Sequence, residues 1–102
     1  MSDNQERPPV APLQDVLAAI SDPVRLEMLR RLDPDGAPVA CGQLYDGIGK
    51  STASHHFKIL REAGVIEVEL IAGKTHQRLR LADVEAAYPG VLSSILAVPS
   101  AR

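Results

Sequence analysis

The side chains of this chain with usable chemistry cluster between Lys50 and Arg61. Ser51, Thr52, Ser54, His55, His56 and Lys58 lie between those two cations, and no acid interrupts them. Nucleophilic catalysis would need a hydroxyl or thiol beside a base that a third group orients. The spacing sets up no acid–base pair and no Cys/His dyad, and Ser51 to Ser54 read as a helix-capping cluster. The glycines are scattered and form no phosphate-cradling loop. What fits hydroxyls, imidazole and cations without carboxylates is a polyanion, whose phosphates take cations and whose base edges take polar side chains.

That chemistry requires a helix to present it. From Gly49 to Val65 the sequence runs GKSTASHHFKILREAGV. Ser51 is the expected N-cap of a helix from Thr52 to Ala63, and Gly64 the left-handed residue that ends it. Ala53, His56, Phe57, Leu60 and Ala63 form the inward stripe. Thr52, Ser54, His55, Lys58 and Arg61 are left towards solvent, an acid-free face that suits a major groove. A plain solvated surface helix is the bland alternative, and the neighbouring elements count against it.

Upstream, Leu13, Val16, Leu17 and Ile20 keep the spacing of one helical face. Asp22-Pro23 restarts a helix, with Asp as N-cap and Pro at the first helical position. The segment from Asp33 to Pro38 is a loop. A short helix is expected from Cys41 to Ile48, burying Leu44 and Ile48. Downstream, Ile66 to Leu81 reads as a β-hairpin with a two-residue Gly73-Lys74 turn of type II′. That register sets Val68 opposite Leu79, Glu69 opposite Arg78 and Glu67 opposite Arg80. Arg78 is open to two readings, cross-strand pairing or phosphate contact. Lys74 and His76, near the tip and without such partners, are the better phosphate candidates. Asp83 to Ala87 can form one helical turn, and Pro89 opens a last helix with Val91, Leu92, Ile95 and Leu96 on one side. A helix that short needs a surface to cover. Packing of Leu13, Val16, Leu17 and Ile20 with Val91, Leu92, Ile95 and Leu96 against their symmetry mates would make a two-fold dimer. Ordinary packing within the chain is the alternative.

Composition sets the outer bounds. The 102 residues, 45% apolar and only 3% aromatic, suffice for one domain with a modest aliphatic core. Residues 1–11 read as a disordered polar arm, 12–98 as the folded domain and 99–102 as a tail. No apolar run spans a bilayer. The opening MSDNQERPPVAP lacks the regions of a signal peptide, and the single Cys41 fits a reducing cytoplasm. The net charge of −2 is segregated. Residues 50–61 and 72–81 hold six basic residues and no acid, leaving five basic against thirteen acidic residues elsewhere. Local potential, not net charge, steers a polyanion.

The order of these elements is that of a winged helix-turn-helix, mostly α with a β-hairpin wing, α-α-α-α-β-β-α. On the residues Asp22-Pro23-Val24-Arg25-Leu26 and Ser54-His55-His56-Phe57-Lys58-Ile59-Leu60-Arg61-Glu62-Ala63-Gly64-Val65, with the Gly73 wing turn, the chain resembles the ArsR (arsenic-repressor-like) family of bacterial transcriptional regulators. The resemblance covers about residues 13 to 98. It implies a cytoplasmic homodimer, without enzymatic activity or cofactor, on a palindromic double-stranded DNA operator. By position it assigns DNA contact to Thr52, Ser54, His55 and Lys58, with Lys50, Ser51 and the helix-start amides near phosphate and Lys74, His76 and Arg78 on the wing. His56 matches a family histidine but points inward as a structural one, and Arg25 matches an arginine that braces helices. Many relatives sense metals through paired cysteines or through Asp/His and His/Glu pairs on the last helix. Here Cys41 stands alone and residues 91–98 hold no ligand type, so no family-typical metal site is expected. Asp83 and Glu85 are carboxylates without nitrogen partners nearby in sequence. The turn before the reading helix is also shorter than usual. A small molecule, a metal or a protein remains as the class of effector. The competing function is a winged-helix protein–protein module that does not bind DNA.

Overall fold

A computed structural model of the chain describes residues 8–99. Expectations for residues 1–7 and 100–102 lie outside the described residues. Helices α1 (Leu13–Ile20) and α2 (Pro23–Arg31) lead to a short strand β1 (Val39–Ala40) and a 3₁₀ turn at Cys41–Gln43. Then come α3 (Lys50–Glu62), the hairpin β2 (Ile66–Ile71) and β3 (Lys74–Leu79), and helices α4 (Leu81–Ala87) and α5 (Val91–Ala97). The fold is a winged helix-turn-helix, mostly helical, with a three-stranded antiparallel sheet in the order β1-β3-β2.

Each helix is there for a local reason. Pro23 sits at the start of α2, and the Asp22 carboxylate accepts from the backbone N–H of Val24 at 2.8 Å and of Arg25 at 3.0 Å. Those hydrogen bonds, the Arg25 one foremost, hold the Asp22 carboxyl below its ordinary pKa. α3 ends in a Schellman motif: Gly64 at φ +83° donates to Arg61 O, and Val65 donates to Leu60 O. Leu60 and Val65, the apolar pair that accompanies this motif, are fully buried.

The expected helix at Cys41–Ile48 is only the 3₁₀ turn. Pairing of Val39 with Gln77 and of Ala40 with His76 holds the chain extended up to Cys41. Gly42 and Gly47, the latter at φ +74°, then weaken any longer helix. Leu44 is buried as expected.

The hairpin forms, but its register differs. Ile66 faces Leu79, Glu67 faces Arg78, Val68 faces Gln77 and Glu69 faces His76, around an Ala72-Gly73 turn with both residues at positive φ. A left-handed Ala costs about 1–2 kcal/mol. The register compensates by setting Ile66 against Leu79, both buried, where the anticipated pairing puts Val68 there. Burial of such side chains is worth about 1.5–3 kcal/mol each. Because the partner shifts by two residues, every side chain keeps its face.

The segment ahead of α1 is docked from Pro9 to Ala11. Ala11 donates its N–H to Ala63 O at 3.0 Å, and the Tyr88 hydroxyl donates to Ala11 O at 2.6 Å. A Cβ on Gly64 would lie 2.7 Å from Val10 Cα and 2.8 Å from Pro9 O. These close backbone contacts correct the expectation of a loose arm reaching residue 11.

Candidate nucleic-acid interface

α3 starts two residues earlier than its sequence signals. Gly49, not Ser51, is the N-cap, and no side chain accepts from the helix start. Ser51 lies inside the first turn. The first intrahelical bond is Ala53 N–H to Gly49 O, so the amides of Lys50, Ser51 and Thr52 stay available at the positive end of the helix dipole. Burial of Ala53, Phe57 and Leu60 turns the opposite face outward. Lys50, Ser51, Thr52, Ser54, His55 and Lys58 are all exposed on it. Lys58 lies 3.9 Å from Glu62, both largely in solvent, a pair of little energetic weight.

His56 points the other way, as its helical position requires. Arg25 Nη1 lies 3.1 Å from His56 Nδ1 while Arg25 Nε donates to Ala19 O at 2.5 Å. A guanidinium only donates, so in a hydrogen bond between these two atoms Nδ1 is the acceptor. Asp22 Oδ2 stands 4.0 Å from the same nitrogen. One arginine thus ties the end of α1 and the start of α2 to α3, which fixes how far α3 protrudes.

On the wing, Arg78 is engaged by Glu69 and, at 3.8 Å, by Glu67. In the free chain its cross-strand reading is the one realised. Arg80 does not meet Glu67. It is buried, with Nε 3.1 Å from Asp83 Oδ2 at the head of α4, because the register carries it past the end of β2. Lys74 is exposed at the tip. His76 Nδ1 lies 3.0 Å from Lys74 O, so that ring is tied to its own strand. Gln77, buried beneath the wing, is a residue the sequence reading missed. Its place two residues before the apolar Leu79 was the available signal.

The comparisons agree with this geometry. A family model described as a helix-turn-helix domain matches residues 20–69. The HTH-type transcriptional regulator YceK of Bacillus subtilis (strain 168) is 34% identical over 82 residues, covering 78% of this chain and 82% of the relative. The crystal structure of the transcriptional repressor BigR from Xylella fastidiosa superposes with a TM-score of 0.64 at 26% identity, over 88% of each chain. The chain is an ArsR-type helix-turn-helix transcriptional regulator. Its relatives regulate transcription and are not enzymes.

In this regulator the two groups of apolar residues expected at a dimer contact divide. Val16, Ile20 and Leu92 are at most 3% exposed and belong to the chain's own core, so they present nothing to a partner. Leu13 and Leu17 are 39% and 41% exposed, and Val91, Ile95 and Leu96 are half-buried. Glu85 accepts from Gly90 N–H at 2.8 Å and Ser93 N–H at 3.0 Å, capping α5 from α4. Those bonds, the Ser93 one first, lower its pKa. Among the described residues no group of three or more His, Cys, Asp or Glu could hold a metal ion. No described helix is long and apolar enough to cross a membrane.

Proposed function

We propose that the regulator is a homodimeric repressor of a palindromic operator, with α3 in the major groove and the wing tip on flanking phosphates. The observation that carries this reading is the start of α3, uncapped and free of acids, with six exposed polar side chains from Lys50 to Lys58. Its open amides and dipole suit a phosphate. Thr52, Ser54 and His55 reach base edges, Lys58 reaches phosphate, and Lys74 and His76 extend the contact from the wing. Arg78 joins them only by leaving Glu67 and Glu69. Leu13 and Leu17, with Val91, Ile95 and Leu96, form the dimer contact, and this places two α3 helices on one duplex.

The test is a salt-dependent titration on a duplex selected from a random library. Lys58→Ala should weaken binding at every salt concentration and lower the salt slope by about 1. An unchanged slope would remove Lys58 from the contact. Leu13→Glu with Leu17→Glu should give a sedimenting monomer; a persistent dimer rules out that face. A protein-docking winged helix draws on the exposed wing residues Leu70 (71%) and Val68 (51%). Failure of the selection to enrich any duplex would favour it.

A further inference from the structure

A groove of about 420 Å³ runs between α3 and the wing. One wall is aromatic: Tyr45 and Phe57 meet edge to face with ring centroids 6.1 Å apart. Lys50 and Arg61 stand along it, and no carboxylate is among its lining residues. Gln77, only 2% exposed, also lines it. Its Nε2 donates to Cys41 Sγ at 3.4 Å, while its Oε1 has no hydrogen-bond partner. Turning the amide over changes which end is spent on sulfur and still leaves the other end unmatched. Buried amide groups in native proteins are seldom left so, and the missing partner is itself an observation about the groove.

We propose that this groove binds a small organic anion with an aromatic body and a hydroxyl group. The hydroxyl, both donor and acceptor, satisfies the Gln77 amide in either orientation. The ring stacks against Tyr45 and Phe57, and the carboxylate lies towards Lys50 and Arg61. A DNA phosphate is the poorer occupant, since it offers only acceptors to Oε1 and leaves the aromatic wall without a partner. The volume is that of ordinary small-molecule sites. Because Lys50 also belongs to the proposed DNA-facing set, an occupied groove would compete with DNA. That corollary rests on the docking proposed above, but binding to the free protein does not.

The experiment is calorimetric titration of the DNA-free regulator with para-hydroxybenzoate, benzoate and phenol. On the unaltered protein, para-hydroxybenzoate should bind saturably, once per chain, and about tenfold more tightly than either truncated probe. Gln77→Leu should remove the advantage over benzoate and leave benzoate itself within about twofold. Lys50→Gln should weaken both carboxylates and spare phenol. Absence of saturable binding at millimolar concentration overturns the proposal. So does an equal affinity for para-hydroxybenzoate and benzoate, which would mean that water alone completes Gln77.

Discussion

Helices α2 and α3 begin in opposite ways. α2 opens on Asp22, whose carboxylate occupies two of the free backbone amides and is drawn further in by Arg25. α3 opens on Gly49, which offers its amides nothing. The first helix supplies its own anion at the positive end of its dipole, and the second leaves that position unfilled by any side chain of its N-cap. A side-chain cap adds only a few tenths of a kcal/mol over glycine at this position, so leaving α3 uncapped gives up a little stability. The other end of α3 offsets it, where the Schellman turn at Gly64 is clamped against Pro9 and Val10.

That contrast can be broken at three places. The largest effect should come from Gly64→Ala, which forces a left-handed non-glycine residue against backbone atoms at 2.7 and 2.8 Å. We expect a loss of about 3 kcal/mol in urea denaturation; a loss below about 1 kcal/mol would show that the clamp yields. Next is Gly49→Asp, at an extended φ of −75° with open space around the Cβ. It should stabilise the fold by a few tenths of a kcal/mol yet weaken DNA binding about tenfold, by filling the amides and repelling phosphate. Gains in both would deny the amides any role with DNA.

Asp22→Ala should cost about 1 kcal/mol at neutral pH and change DNA affinity less than Gly49→Asp does. The smallest effect is in its pH dependence. Asp22 and Glu85 both have lowered folded pKa values. Their contribution is therefore full above the unfolded carboxylate pKa of about 4 and disappears as pH falls through the folded values. The deficit of Asp22→Ala should shrink on going from neutral pH to about pH 3. A constant deficit would assign the cap's value to shape rather than charge.

The sequence made the helices easier to read than their junctions. α1, α2 and α3 follow from apolar spacing and from Asp22-Pro23 and Gly64, which are local signals. The start of α3 was misplaced because Ser51 is a better capping residue than Gly49, and tertiary placement outweighed that preference. The hairpin register escaped because acid faces base in both alignments, and only burial of the Ile66–Leu79 pair separates them. β1 escaped because two residues carry no periodicity, yet it is what brings Cys41 to Gln77. Of the interface, the outward face of α3 was legible from the helical period. The fate of Arg78 and Arg80 was not, since it depends on that register.

Ala11 is joined on both sides, to Ala63 at the end of α3 and to Tyr88 between α4 and α5. The leading segment is thus a rivet through two layers that the hydrophobic core also joins, but by a route independent of side-chain packing. A chain shortened by its first seven residues keeps the rivet. One shortened by eleven loses it, and the far end of α3 and the C-terminal helices lose both of these hydrogen bonds in a single cut.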